Sequence, residues 1–356
     1  ARLTGEGTIA LDGTLAFDAR ATLSRFDPSR FGAFPKGSLD GRVDASGALA
    51  APWRAKVDAS LVDGSRLSGV ALAGTARAKL TGTGARDVAV DARVAGGRVV
   101  AKGDAGLLGD TLAFDVDLPK LDAVRPLAEA WLPSPLEGRL AAKGTASLVP
   151  GNVGIDARAQ GERLRAGPGF AAAKLDVRVA WKQIPGMPID RKPVELDLDA
   201  RDVDAAGVRI ASIAGTVRGT PAEHRADVRA RVAGSDLEAS LAGALDPGAM
   251  QWRGTVAAFR SSGDADIRLE SPARLEIARD RVALAAARLR FGDGEFRVED
   301  LLVEEGRVTS HGAFTGVLAE TAARIAGVAL PFTTDVAFGG AWSIAASPRL
   351  DGTVSI

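Results

Sequence analysis

The residue types that carry catalysis or hold metal ions are few in this chain, and they lie far apart. The two histidines, His224 and His311, stand among ordinary polar neighbours, which favours surface or turn positions over a catalytic or metal-binding pair. Cysteine is absent, which excludes disulfides, thiolate metal sites and cysteine nucleophiles together. We therefore expect no catalytic residue, no cofactor-binding residue and no metal site.

Two acidic and two glycine-rich stretches come closest to a binding motif. Strand spacing places most of the four aspartates in 197–204 on one outward face, and no EF-hand glycine or glutamate follows them at the required spacing. Residues 264–266 (Asp-Ala-Asp) are interpreted in the same way. The turns at 82–84 and 292–294 lack the Lys-Ser/Thr pair of a phosphate loop and any dinucleotide fingerprint. All four stretches are interpreted as solvated charges and turns. The four aspartates are Asp197, Asp199, Asp202 and Asp204.

Composition narrows the function classes further. Lys plus Arg and Asp plus Glu each number 45, so the chain lacks the basic excess that a nucleic-acid binder normally shows. The five tryptophans are scattered, and packing is their expected role. No run approaches the roughly 18–20 apolar residues of a membrane span.

The elements that carry these residues are predicted to be β-strands throughout. Apolar and charged residues alternate in short runs broken by glycines, as in 114–118 (Phe-Asp-Val-Asp-Leu), 194–199 (Val-Glu-Leu-Asp-Leu-Asp) and 274–277 (Arg-Leu-Glu-Ile). Successive side chains of a strand point to opposite faces, so this pattern makes one apolar and one charged face. We therefore predict an all-β chain with one long antiparallel sheet, and the hairpin at 290–298 is its best-marked turn.

The apolar positions of these strands are predicted to line one face of the sheet. Either the walls of the sheet meet over this face and form a solid core, or the face stays open as a groove for an apolar ligand. The predicted lining residues are Val88, Val90, Val94, Phe114, Val116, Leu118, Val177, Val179, Val194, Leu196, Leu198, Leu237, Leu241, Leu245, Ile267, Leu269, Leu275, Ile277, Val282, Leu284, Leu289, Phe291, Phe296 and Val298.

Nothing in the sequence marks a domain boundary. There is no Ser/Pro-rich linker, charge block or low-complexity tract, so residues 1–356 are predicted to form one continuous elongated segment. Short helical insertions are predicted near 27–34, 120–132 and 316–327, where proline or helical spacing interrupts the strand pattern. Because the chain opens without a methionine or signal-peptide pattern, we expect it to be an internal piece of a longer protein.

Several short motifs, taken in order, resemble the TamB and AsmA-like family of Gram-negative envelopes. A Leu-x-Gly-Arg-aliphatic step follows each of the first two predicted helices, at 39–43 and 136–140. The C-terminal third is similar to the family in the order of its pieces, which are 252–256 (Trp-Arg-Gly-Thr-Val), 271–275, 292–294, 306–308, Gly312 and 330–332. The similarity lies in the motifs and in their order along the chain, and it covers nearly the whole chain.

The resemblance implies a fold and a function. The family's periplasmic body is a long antiparallel sheet rolled into an open, taco-like groove with a hydrophobic interior. It is associated with phospholipid passage from the inner to the outer membrane and with outer-membrane biogenesis. The full-length proteins have an inner-membrane anchor and pair with an outer-membrane barrel, TamA. The expectation for this chain is therefore a periplasmic, bridge-like lipid-transfer segment that contacts phospholipid acyl chains.

Rival interpretations belong to other classes. A structural β-solenoid or adhesin would show equal coils with stacked polar ladders, and a scaffold for outer-membrane protein assembly would carry no lipid. A carbohydrate-active β enzyme would need a carboxylate pair among clustered aromatic residues, but the chain has no tyrosine and its tryptophans are dispersed.

Overall fold

The computed structural model describes residues 2–128, 136–150, 152–205, 207–263, 266–292, 294–320, 334–347 and 349–355. The chain is all-β, with 73% of it in strands and 5% in helices, and it contains a long antiparallel sheet. The prediction of an all-β fold built on such a sheet is therefore confirmed.

The described residues form 24 strands and a few short helical turns. The helical elements are 3-10 turns at Pro28–Arg30, Asp122–Val124, Gly167–Gly169 and Ile189–Arg191, and one α-helical turn, α1, at Arg125–Ala128. The strands are β1 (Arg2–Ile9), β2 (Ala16–Phe26), β3 (Gly37–Ala48), β4 (Arg54–Leu61), β5 (Arg66–Leu67), β6 (Val70–Thr81), β7 (Gly84–Val94), β8 (Gly97–Ala105), β9 (Leu112–Leu118), β10 (Leu136–Ser147), β11 (Gly154–Ala166), β12 (Phe170–Trp181), β13 (Val194–Ala205), β14 (Val208–Thr220), β15 (Glu223–Val232), β16 (Ser235–Asp246), β17 (Gln251–Ser262), β18 (Ile267–Ser271), β19 (Ala273–Ala278), β20 (Arg281–Phe291), β21 (Gly294–Glu304), β22 (Arg307–Leu318), β23 (Ala337–Ser347) and β24 (Arg349–Ser355).

The chain divides into two compact units. Unit 1 comprises residues 1–186 and 200–208, and unit 2 comprises residues 187–199 and 209–356. The sequence shows no linker composition at the boundary. Continuity of the whole chain as one elongated segment stays a prediction.

Unit 1 is an antiparallel meander in which neighbouring strands follow the order of the chain. β1 pairs with β2, β2 with β3 and β3 with β4, and from β6 each strand up to β12 pairs with the next. β6 pairs with β4, while the two-residue β5 bridges the starts of β3 and β6. Alternate connections therefore lie at opposite edges of this sheet.

Unit 2 follows the same plan with one interruption. β17 pairs with both β18 and β19, and each of these short strands pairs in turn with β20. From β20 to β24 the strands again pair in chain order. The predicted hairpin is confirmed by the pairing of Phe291 with Gly294, while its turn residue Asp293 lies outside the described residues.

The described parts of the three predicted helical insertions contain short helical turns. The segment near 27–34 contains one 3-10 turn, whose N-cap Asp27 accepts hydrogen bonds from the backbone N–H of Ser29 at 3.2 Å and of Gly37 at 3.0 Å. Near 120–132, helical structure covers 122–128, and 129–132 lie outside the described residues. At 316–327 the first three residues belong to β22, residues 319 and 320 are helical, and 321–327 lie outside the described residues.

Very little of the described chain is fully buried. Most of the strongly buried positions hold a small or β-branched residue, such as Val70, Ala73, Ala172 or Val203. The chain exposes 22031 Å² to solvent. Two separate compact proteins of half this mass would together expose only about 16,000 Å². The excess means that the units do not bury their apolar side chains as ordinary globular domains do.

Candidate functional site: an uncovered apolar face

In unit 1 the strand register places the apolar residues on one face of the sheet. Directly opposed residues of antiparallel strands lie on the same face, so a row of partners can be followed from strand to strand. One such row runs through Ala21, Val43, Ala59, Ala76, Val90, Ala101, Phe114, Gly144, Ala157 and Val179. Every member is apolar or glycine, so the alternation in the sequence becomes a continuous apolar surface.

The other face of unit 1 carries cross-strand ion pairs. Arg98 donates to Asp91 at 2.7 Å and Arg158 donates to Asp176 at 2.9 Å, both on exposed side chains. The hydrogen bond from Arg98 lowers the pKa of Asp91 below its ordinary value. Exposed pairs of this kind contribute little to stability, so their main consequence is to keep this face in water.

The predicted lining residues of unit 1 lie together on the apolar face. Val88, Val90 and Val94 share one side of β7, and the partners of Val90 lead through Ala101 to Phe114 in β9. The remaining four residues follow in the same rows, and all eight are half-buried. These residues of unit 1 are Val88, Val90, Val94, Phe114, Val116, Leu118, Val177 and Val179.

Thirteen predicted lining residues also share one face in unit 2. They are Leu237, Leu241, Leu245, Ile267, Leu269, Leu275, Ile277, Val282, Leu284, Leu289, Phe291, Phe296 and Val298. Leu245, Ile277 and Val282 are exposed, whereas Phe291 is buried. Val194, Leu196 and Leu198 alternate along β13 and are half-buried.

An aromatic cluster on the apolar face of unit 2 was not predicted from the sequence. The ring of Phe296 lies 5.7 Å from Phe314 and 6.2 Å from Trp342, and Phe314 lies 6.1 Å from Phe338. The indole of Trp342 covers Gly312, and its Nε1 donates to the hydroxyl of Ser310 at 3.1 Å. Aromatic residues two positions from glycines, as in Gly-Ala-Phe at 312–314, were the signal that could have found this cluster.

A histidine that the sequence placed at a surface or turn lies on the same face. His224 is the second residue of β15, and its direct partners across the sheet are Gly219 and Gly243. Trp252 Nε1 can only donate, so its 2.7 Å bond makes His224 Nε2 the acceptor and leaves Nδ1 to donate to the carbonyl of Thr220. Both ring nitrogens are thereby used in structure, and His224 carries no free group for chemistry.

Glycines indicate the direction in which the sheet bends. A Cβ on Gly144, in the apolar row of β10, would lie 2.6 Å from the Cα of Ala157 on the next strand. Such close approach of neighbouring backbones on the apolar side is the geometry of a glycine kink, which curls a sheet toward that side. The backbones of β10 and β11 therefore approach closely on the apolar side at this position.

Three cavities lie on the charged face, and the smallest of these, of about 430 Å³ in unit 1, is lined by Asp44, Arg77 and Asp91 among others. One of about 750 Å³ in unit 1 is lined by Lys56, Asp58, Arg77 and Lys79 among others. A second of about 650 Å³ in unit 2 is lined by charged side chains that include Arg229. A twisted sheet is saddle-shaped, so each face is concave along one diagonal. The cavities of about 750 and 650 Å³ are both lined by side chains of both charges.

The described residues contain no cluster of three or more His, Asp or Glu side chains that could hold a metal ion. The helices described are too short to cross a membrane. No family model, no curated protein and no solved structure matches the chain. The case for a function therefore depends on the geometry of the two faces.

Proposed function

We propose that the apolar face is a conduit for the hydrocarbon tails of phospholipids. Two features together carry this proposal. Unit 1 has a continuous apolar row and unit 2 a shared apolar face, and the side chains on both are mostly half-buried rather than buried. Monomers rarely expose contiguous apolar patches larger than a few hundred Å², so an apolar face that runs from strand to strand and stays partly open to solvent calls for an apolar ligand.

The lining suits a ligand that slides rather than one that docks. In unit 1 the row is built of alanine, valine and glycine with one phenylalanine, Phe114, and its charged neighbours point to the other face. Acyl chains need no polar partner, so a uniform aliphatic surface binds them weakly at every position and tightly at none. A catalytic or carbohydrate-binding role would need fixed polar groups on this face, and the polar groups described there, such as His224, are satisfied by their neighbours.

The resemblance to TamB and AsmA-like proteins extends this proposal to a cellular setting. In that setting the chain is part of a periplasmic, bridge-like lipid-transfer protein with an inner-membrane anchor and a barrel partner of the TamA type. The groove would then carry phospholipid from the inner to the outer membrane and support outer-membrane biogenesis. The motifs at 39–43 and 136–140 support this extension, since both follow a short helical interruption at the same edge of the sheet of unit 1.

A photocrosslinking amino acid placed alternately on the two faces tests the conduit. At positions 116 and 196 the probe replaces an apolar residue of the alternating pattern. At positions 115 and 195, one residue earlier in each strand, it replaces a charged residue. Because a single step along a strand reverses the face, each pair is matched in every other respect. We expect phospholipid adducts at Val116 and Leu196 and none at Asp115 and Glu195, read by mass spectrometry after irradiation in cells.

Two results would oppose the proposal. Equal labelling at all four positions would show that lipid contact does not distinguish the faces. Protein adducts without lipid at 116 and 196 would favour the alternative of a scaffold for outer-membrane protein assembly.

A further inference from the structure

The hairpin loops at one edge of unit 1 carry an unusual concentration of exposed large apolar side chains. These loops span 10–15, 49–53, 82–83, 106–111 and 148–153, and we call them the apolar edge. Leu11 is 89% exposed and Leu108 is 58% exposed. The exposed large apolar residues of the apolar edge are Leu11, Leu15, Leu49, Trp53, Leu107, Leu108, Leu148 and Val153.

The loops of the apolar edge adjoin one another and so form a line. The N–H of Leu49 donates to the carbonyl of Leu15 at 3.2 Å, which joins the first loop to the second. The indole of Trp53 lies against Gly82 in the third loop. The N–H of Gly106 donates to the carbonyl of Leu148 at 2.9 Å, which joins the fourth loop to the fifth.

The apolar edge is also almost free of charge. Its loops contain no lysine or arginine, and their two acids, Asp12 and Asp110, are engaged locally. Asp12 accepts from the N–H of Thr14, and Asp110 accepts from the N–H of Leu107 and pairs with Arg86.

The opposite edge of unit 1 differs in this respect. Its connections carry Arg30, Lys36, Arg66, Lys120 and Arg125. The absence of cations is therefore a property of these five loops and not of the loops of unit 1 in general, since the next connection at the same edge begins with Lys182.

We propose that the apolar edge inserts into the surface of a phospholipid bilayer. A row of separate protruding tips with glycine or proline beside the leucines suits the acyl boundary of a membrane, where each tip is buried independently. A protein partner would instead need a contiguous, closely packed patch with a polar rim. Because the edge has no cations, the insertion depends on apolar burial and not on anionic headgroups, which distinguishes it from polybasic membrane attachment.

Single-cysteine labelling of the whole chain tests the insertion directly, since the chain has no cysteine of its own. Leu108→Cys carries an environment-sensitive fluorophore at the apolar edge. Val62→Cys carries it at the opposite edge of unit 1, where the side chain is similarly exposed. Vesicles of pure phosphatidylcholine should shift the emission to the blue and increase it at position 108, with no change at position 62.

Vesicle flotation then measures what holds the edge in place. Replacing Leu11, Leu107 and Leu108 by serine should reduce the fraction bound to phosphatidylcholine vesicles by at least about tenfold. Each replacement removes an apolar side chain that the bilayer would bury. Val62→Ser should leave binding unchanged. All replaced side chains are exposed, so circular dichroism of the variants should match that of the parent chain.

Several outcomes would overturn the proposal. No spectral change at position 108, or equal changes at 62 and 108, would deny insertion at this edge. Binding that requires phosphatidylglycerol and disappears in high salt would show that charge holds the protein. A blue shift at 108 that depends on protein concentration without vesicles would assign the edge to a second copy of the chain. The photocrosslinks at Val116 are a separate readout, so the conduit can fail or succeed independently.

Discussion

The apolar faces of the two units are made by the same alternation but are lined by different side chains. In unit 1 the row that passes through Val90 and Ala157 is built mainly from small and β-branched residues. In unit 2 the rings of Phe296, Phe314 and Trp342 stack across three successive strands. The face of unit 1 is therefore lined mostly by short side chains, whereas in unit 2 aromatic rings pack against one another over part of the face.

The difference separates two properties that a hydrophobic pattern alone does not distinguish. Alternation decides which face is apolar, because it fixes the parity of every strand. Side-chain size decides whether that face covers itself, because only a long or flat side chain reaches across to the next strand. A conduit therefore depends on where the large residues are absent as much as on where apolar residues are present.

The largest expected effect is on the aromatic cluster. Trp342→Ala should lower the free energy of unfolding by about 3 kcal/mol, since it removes ring contacts and the cover of Gly312. Phe114→Ala in unit 1 should cost about 1 kcal/mol, because Phe114 is half-buried in a row of small residues. Urea unfolding of both variants measures the two values.

Equal losses for these two variants would contradict the comparison. Phe114 would then be packed as closely as Trp342, and the face of unit 1 would be covered by its own side chains. An unchanged slope of free energy against urea is the control that the unfolded state is the same in both variants.

A smaller effect is expected at the glycine kink of unit 1. Gly144→Ala should cost about 2 kcal/mol, because the added Cβ meets the backbone of Ala157 and the neighbouring strand must move. Gly13→Ala is the matched control, since its Cβ would point into open space in the loop after β1. The same urea experiment compares them, and a neutral Gly144→Ala would show that the sheet is not sharply bent there.

The strand content and the two faces could be predicted from the sequence. Period-two alternation fixed parity without knowledge of strand partners, so residues as distant as Val90 and Val179 fall on the same face. Ala286 shows why this works only locally. Its backbone has a positive φ, and the apolar parity of β20 changes from Leu284 to Ala287 although the pairing with β21 keeps one register. The predicted lining residues follow the apolar residues across that step and not a strict period of two.

The role of the large residues could not be predicted in the same way. Trp252 and His224 are separated by a hairpin and a further strand, and their hydrogen bond exists only because β15 and β17 both flank β16. Trp342 contacts Phe314 because β22 pairs with β23, although the two residues are far apart in the sequence. Contacts of this kind depend on which strands pair with each other. The alternation of apolar and charged residues does not encode that pairing.

The smallest expected effect concerns the charged faces, on which the two units should behave alike. Hydrogen bonds from Arg98 and from Arg231 lower the pKa values of Asp91 and Asp236 respectively. A carboxyl whose pKa is lower in the folded state adds stability that is present above its ordinary pKa of about 3.9 and is lost as the pH falls through the folded value.

Thermal unfolding between neutral pH and strong acid measures this loss. Asp91→Asn and Asp236→Asn should each make the acid side of the curve slightly less steep, and added salt should reduce the difference because both pairs are exposed. Similar small changes would show that the units differ only in their apolar faces. A much larger change in one unit would mean that its charged face is also packed and is not freely covered by water. The charged face could then no longer be assigned as the side that faces solvent in that unit.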